Sequence, residues 1–262
     1  MRSWINKNFS IDDLETTVSR RDILENKKFL KNIYIDWYEM VRSELDTTNG
    51  IILEIGSGAG FLQDVVPNVV TSEIMKVPQI AIILDALHLP FDNSLGGVVM
   101  VDVFHHLCDA SVFLQEASKA LRKDGLLIMI EPWVTPLSRL IYSHLHHEPF
   151  EPETVEWSFH SSGPLSGANG ALPWIVFERD RHIFEVDFPS LIIKKIQPFM
   201  PIRYLMSGGF TTLFGAPSFL YKPVKRFESL FKPVMNRLGM FALIVVQKKD
   251  ATRIANDEIP SR

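Results

Sequence analysis

The stretch "IILEIGSGAG", Ile51 to Gly60, decides how the rest of the chain is read. An apolar run ends on the carboxylate of Glu54 and passes into three glycines within five positions, Gly56, Gly58 and Gly60. A strand, then this bare turn, then a helix start is the place where open α/β sheets bind ligands, beyond the carboxyl ends of their strands. Glycine lets the turn adopt positive φ and lets a ligand approach the main chain. Two common nucleotide patterns do not fit. A dinucleotide fingerprint counted from Gly56 needs a small residue where Phe61 stands, and no Gly-Lys-Ser/Thr follows for a phosphate loop.

Around this stretch the texture repeats. Ile51–Ile55, Val69–Ser72, Ile80–Leu84, Gly97–Val101 and Leu126–Ile130 are short runs, apolar throughout, each followed by turn residues. Runs of that kind suit a parallel sheet buried on both faces. Residues 11–45 read as helical, with Ile33, Trp37, Met40 and Val41 at helical spacing, and Asp109 to Leu121 reads as a helix with Asp109 as N-cap. Glu73 to Asp85 is too short for a full crossover helix, so a loop or a single turn is expected there. Two later runs, 191–196 and 240–249, complete a doubly wound, mostly parallel α/β sheet of seven strands, with a helix expected around Lys225–Leu238.

Each of the first five runs ends in or just before an acid: Glu54, Glu73, Asp85, Asp102 and Glu131. Strand-end acids can simply cap the helices that follow. A whole rim of carboxylates, however, repels a pyrophosphate and suits a ligand with cationic centres and hydroxyl donors. S-adenosylmethionine, with its sulfonium, ammonium, ribose diol and adenine amino group, has that chemistry.

The residues between about 50 and 134 resemble the class I S-adenosylmethionine-dependent methyltransferases, in the small-molecule, "type 11"-like branch with its quinone- and lipid-modifying members. "LEIGSGAG" is similar to their first motif, "DALHLPF" to their adenine-side motif, "VDVFHHL" to the end of their fourth strand and "LRKDGLLIMIEP" to their fifth. The resemblance implies a Rossmann-like methyltransferase fold. It also implies that Gly56, Ser57, Gly58 and Gly60 pass under the methionine part, with Glu54 near the ammonium. Glu73, with Ile74 beside it, would serve the ribose; Asp85 and Ala86 would serve the adenine; Asp102 and Val103 would line the methionine end. Two departures stand out. No helix fits between Glu73 and Asp85, and Gly96–Gly97 replaces the acid often found entering the fourth strand.

Methyl transfer from a sulfonium is mostly a matter of alignment, water exclusion and, for some acceptors, proton removal. No single catalytic residue is therefore dictated. His105 and His106 follow the fourth strand; "HLHHEPFE" gathers His144, His146, His147 and Glu148. His147, Glu148 and Glu131 are the candidate catalytic residues, and no metal site is expected because adjacent histidines on a helix point about 100° apart. Arg179 or Arg181 could face an anionic acceptor, or lie in a charged surface turn. Trp157 and Trp174 could stack on an acceptor, or pack the insertion.

The organisation expected is one domain. A helical segment (1–48) precedes a cofactor core (49–134), an acceptor lid insertion (135–239) with the sixth strand near 191–196, a last strand (240–249) and a tail (250–262). A net charge of −4 argues against nucleic acid as an obligatory partner. The single cysteine, Cys108, excludes a disulfide framework, fits a cytoplasmic home and argues against thiol-dependent arsenite methylation. "MRSWINKNFSIDDLE" lacks the apolar core of a leader. The uncharged segment Tyr204 to Tyr221 is broken by glycines and Pro217. Three readings stay open for it: a buried loop, an apolar substrate wall, or a peripheral membrane contact. The function expected is methylation of a small or lipid-like acceptor. Its alternative is a non-catalytic S-adenosylmethionine-binding partner of the same fold, and a nicotinamide-dependent oxidoreductase is disfavoured by Phe61 and the acidic rim.

Overall fold

A computed structural model of the protein describes residues 12–46, 48–145, 148–161, 163, 166–210 and 215–249. Its centre is a seven-stranded sheet in the order β3-β2-β1-β4-β5-β7-β6. The strands are β1 (Ile51–Ile55), β2 (Val69–Glu73), β3 (Ile82–Ile83), β4 (Leu95–Val101), β5 (Leu121–Pro132), β6 (Leu191–Phe199) and β7 (Phe241–Lys248). The β1–β5 pairings are parallel, whereas β7 runs antiparallel to both β5 and β6. The strand order reverses between β1 and β4, so a crevice opens at their carboxyl ends.

Alternate side chains of each strand enter two separate cores, which is why the strands are apolar throughout. Leu53, Val98, Met100, Leu127 and Ile244 enter one core, beneath α3 (Ala110–Ala120). Ile52, Val99, Ile128, Leu243 and Val245 enter the other, covered by α1 (Leu14–Asn26) and α2 (Lys28–Leu45). In α2 the buried positions Leu30, Ile33, Tyr34, Trp37, Tyr38, Val41 and Leu45 follow a helical stripe. Trp37 is fully buried, and a cavity of its size costs about 3–5 kcal/mol. Asp109 caps α3 by accepting a hydrogen bond from the Val112 N–H at 3.0 Å.

After β5 the chain forms α4 (Pro136–Leu145), then α5 (Leu172–Trp174) running into a π-helical turn (Ile175–Arg179), and α6 (Arg181–Asp187). Beyond β6 come α7 (Arg203–Ser207), α8 (Tyr221–Ser229) and α9 (Met235–Leu238).

Several sequence expectations are corrected. The helix expected after the glycine turn is one 3-10 turn, Leu62–Asp64, because Pro67 and β2 follow almost at once. The link from Glu73 to Asp85 is a loop, as expected, but the strand expected over Ile80–Leu84 shrinks to the two-residue β3. β5 starts at Leu121, five residues earlier than the apolar run suggests, because Leu121 pairs with Leu95 before the register shifts. The helix expected over 225–238 is split into α8, a 3-10 turn (Lys232–Val234) and α9. Pro233 has no N–H to carry a helical ladder through that point.

Candidate active site

The crevice is built from the ends of β1, β2 and β4. Gly56 sits at φ +66, and a Cβ there would lie 2.6 Å from a Val103 methyl, so the turn can form only with this side of the residue empty. Gly58, at φ +45, is different. An added Cβ would meet nothing nearer than a Glu73 oxygen at 3.7 Å, so the bare backbone faces open space. Glu73 fixes the turn, accepting from the Gly58 N–H at 3.0 Å and the Ile74 N–H at 2.9 Å. Ile74 stays well exposed beside it. Ser57 ties the turn to β2, its N–H donating to the Ser72 carbonyl at 2.9 Å and its hydroxyl accepting from the Ser72 N–H at 3.2 Å.

Glu54 is buried beneath this turn, and its Oε2 has no hydrogen-bond partner among the described residues. Desolvation is the main cause raising its pKa to about 7, against the hydrogen bond with Ser57. A buried carboxylate with an orphan oxygen beside an open glycine turn is what a ligand ammonium would complete. The residues therefore fit S-adenosylmethionine. Asp85 is less committed. Its carboxylate accepts from the Leu87 N–H at 2.9 Å, lies 3.0 Å from His88 Nδ1 and is partly exposed, with the buried Ala86 following.

At the end of β4 the backbone turns sharply. Asp102 adopts φ +62, an uncommon conformation that Asp tolerates better than most residues. Burial is the main cause raising its pKa to about 7, opposed by the charge of His105. The next two N–H groups, of Val103 and Phe104, donate at 2.9 and 2.8 Å to Oε1 of the fully buried Glu131. Oε2 of Glu131 lies 2.7 Å from His105 Nδ1, and His105 Nε2 lies 3.6 Å from Glu148 Oε2. Burial by itself lowers the pKa of His105, but the two carboxylates outweigh it and hold the ring well above its ordinary value. His105 is thus an imidazolium strung between two acids.

Glu131 therefore does not face the crevice, as a proton-accepting role would require. It sits under the turn and holds it. Glu148 is the outer member of the chain, with its side chain 19% exposed. Asn169 staples its loop: the Asn169 N–H donates to the His105 carbonyl, and its side chain accepts from the Glu151 N–H. His106 is the reverse of His105. Burial, then the neighbouring positive ring, lower its pKa to about 3, and its Nδ1 lies 3.1 Å from the Gly167 carbonyl. His147 and His146 lie outside the described residues, and His144 is an exposed residue bonded to its own helix.

Two groups here, His105–His106–Glu148 and Asp102–His105–Glu131, bring metal-ligand atoms within 4.8 Å of one another. Both share His105, whose nitrogens already face Glu131 and Glu148.

Sequence reasoning missed a group of aromatic side chains packed near the glycine turn and Asp102. Tyr34 and Tyr38, one helical turn apart on α2, are buried, and the Tyr38 hydroxyl accepts from the Phe61 N–H at 3.3 Å. Tyr142 of α4 packs on Phe150 at 4.8 Å, and Phe210 meets Tyr34 edge-on at 6.1 Å. Burial is the main cause raising the pKa of Tyr204 and Tyr142, and both also feel the charges of Asp102 and Glu148. The signal available in the sequence was the spacing of Tyr34 and Tyr38 on the buried stripe of α2.

The insertion residues singled out as acceptor contacts lie elsewhere. Trp157 packs against the α3-side core, stacked with Phe188, and donates to Asp180 at 2.9 Å. Arg179 is occupied by Asp180 and by the carbonyls of Pro152 and Thr154. Trp174 and Arg181 line a cleft of about 380 Å³ against β6, at the far edge of the sheet from the glycine turn. The uncharged segment packs inward in part. Tyr204 and Phe210 pack against α2, residues 211–214 lie outside the described residues, and 217–219 face outward. No described helix is long and apolar enough to cross a membrane.

Comparison with known proteins follows the same lines. Residues 53–129 match the family model described as a methyltransferase domain. The geranyl diphosphate C-methyltransferase of Streptomyces coelicolor A3(2) has a similar fold. Its TM-score is 0.53 at 11% identity, over 94% of this chain and 86% of that one; it was solved with Mg2+, geranyl diphosphate and S-adenosyl-L-homocysteine. A chain in the complex of the Haloferax volcanii Trm112 methyltransferase activator with a methyltransferase gives 0.51 at 12% identity, over 92% of this chain and 100% of that one. No curated protein matches the sequence. Residues 53–129 thus match a methyltransferase domain, and the chain around them has the Rossmann-like fold of the S-adenosylmethionine-dependent methyltransferases.

The elevated Glu54 has a measurable consequence. A bound ammonium favours the ionised carboxylate, so binding below pH 7 should expel a proton. S-adenosylmethionine affinity is expected to rise from pH 5 to 7 and then level off. Calorimetry at pH 6 in buffers of different ionisation enthalpy should register the released proton, and Glu54→Gln should abolish that contribution. Identical heats in all buffers would exclude Glu54 from the ammonium site.

Proposed function

We propose that the protein methylates a hydroxyl group on an acceptor with a substantial apolar portion, with Glu148 taking the hydroxyl proton. The observation that carries this reading is the chain Glu131–His105–Glu148, which leads from the turn after β4 to a half-buried carboxylate near the aromatic wall. Gly56, Ser57, Gly58 and Gly60 with Glu54 would hold the methionine part of the cofactor. Glu73 and Ile74 would serve the ribose, Asp85 and Ala86 the adenine, and Asp102 and Val103 the methionine end. Bound there, S-adenosylmethionine supplies an electrophilic methyl group.

The remaining work falls to the chain. Glu131 and His105 hold Glu148 in place. Once Glu148 accepts the proton, the acceptor oxygen is left as the nucleophile. The Tyr34, Tyr142 and Tyr204 side of the crevice would exclude water and shelter an apolar tail. A hydrophobic acceptor is also consistent with the half-buried Met206 and Phe210 beside that wall.

The test is a panel of hydroxylated and aminated acceptors, each with and without an acyl or prenyl tail. Tailed hydroxyl acceptors should turn over best. Glu148→Gln should lower kcat by about a hundredfold or more while leaving cofactor affinity unchanged. His147→Ala, assayed in parallel, reports whether the neighbouring histidine shares the proton. Turnover confined to small polar acceptors would reject the apolar wall, and an undiminished Glu148→Gln rate would remove this base.

A further inference from the structure

The surface of residues 217–238 is unlike the rest of the molecule. Phe219 and Leu230 are 74% and 71% exposed, and Phe227 and Val234 are also open to solvent. Lys222, Lys225, Arg226, Lys232 and Arg237 are exposed among them. The only acid in the segment, Glu228, is buried and bonded to Arg203, so the segment shows solvent no negative charge. Lys225 is paired with Asp36 at 2.8 Å, while the other four basic residues have no acidic partner among the described residues. This lies on a protein whose overall charge is −4.

The pattern on α8 is ordered. Tyr221 and Glu228 point inward, while Lys222 and Arg226 flank one side of the outer face. Phe227 and Leu230 occupy the other side, and Phe227 meets Phe231 edge-on at 5.1 Å. A basic flank beside an apolar ridge is the arrangement of an interfacial helix, in which rings sink to the acyl boundary and cations stay among headgroups.

We propose that this face docks on an anionic lipid bilayer. Charge selects that occupant: an unopposed basic cluster repels most of a like-charged second copy's patch and finds its complement in anionic headgroups. The patch is also rigidly mounted. The Tyr221 hydroxyl donates to the Asn32 carbonyl at 2.8 Å, and Arg203 donates to both Asp36 and Glu228, fixing α8 and α7 to α2. α7 in turn carries Tyr204 to the crevice wall, so a docked protein would present that wall near the membrane. Docking itself does not depend on the acceptor being lipid-like.

Purified full-length protein should sediment with mixed phosphatidylcholine–phosphatidylglycerol vesicles, and far less with phosphatidylcholine alone, with binding that falls as salt rises. Each basic residue lost should weaken binding about fivefold, so Lys222→Gln/Arg226→Gln/Lys232→Gln should lose on the order of a hundredfold. Phe227→Ser/Leu230→Ser should weaken binding roughly tenfold or more even at low salt. Both variants should keep wild-type circular dichroism and cofactor affinity. Three results would overturn the proposal: no vesicle binding, equal binding to both vesicle types, or a lipid-free dimer that either variant converts to monomer. The last would mean that a second copy covers the face.

Discussion

Gly58→Val is expected to abolish S-adenosylmethionine binding while the protein stays folded. At φ +45 a branched side chain carries backbone strain of roughly 1–2 kcal/mol, which a domain of this size can absorb. Nothing inside the fold collides with the new Cβ, whose nearest neighbour is a Glu73 oxygen at 3.7 Å. The methyl groups would instead stand over the turn, where a ligand must approach. Gly56→Ala makes the contrast, since its Cβ drives into Val103 and threatens the fold itself. Circular dichroism and calorimetry on the two variants should separate a binding glycine from a folding glycine. Unimpaired binding by Gly58→Val would move the cofactor floor elsewhere.

The second large effect is on stability. Glu131→Ala leaves the Val103 and Phe104 N–H groups, one part-buried and one buried, without an acceptor and strips His105 of its nearest counter-charge. Breaking a buried pair in this way costs about 3–5 kcal/mol. For a chain of this size that is a drop in Tm of roughly 10 °C. Glu131→Gln should fall between wild type and Glu131→Ala. Its amide oxygen can still accept from the turn, but its NH2 opposes the Nδ1–H of His105. Thermal denaturation of the three proteins should rank them in that order. An unchanged Tm for Glu131→Ala would show that the turn after β4 stands without its carboxylate.

The sheet was legible because its signal is local: an apolar run with a turn after it marks a buried strand wherever it occurs. The acids that end those runs were legible for the same reason. Where the chain had to commit to one face of the sheet, local pattern was silent. In the sequence Trp157 and Trp174 allow two readings, stacking on an acceptor or packing the insertion; Trp157 packs on Phe188, and Trp174 lies at the β6 edge. The aromatic side chains near Asp102 and Glu54 come instead from Tyr34 and Tyr38 on α2, far upstream of the insertion. The pairing of His105 with Glu131 joins residues 26 apart and depends on the register of β4 against β5, which no spacing rule reads directly. It makes Glu131 a support of the turn after β4, with Glu148 as the more exposed carboxylate at the other ring nitrogen. The missing helices after β1 and β2 were half legible. The short link after Glu73 announced itself, while the one after Gly60 was hidden by an ordinary helix-start pattern that Pro67 cuts off.

A crevice rimmed by Glu54, Glu73 and Asp102 suits a cationic sulfonium nucleoside and not a pyrophosphate. The most direct measurement is a calorimetric titration of the wild-type protein with S-adenosylmethionine, S-adenosylhomocysteine and NADH in turn. One saturable site for each of the first two and no heat from NADH is the expected result. NADH binding, or no binding of S-adenosylmethionine to a folded protein, would contradict it.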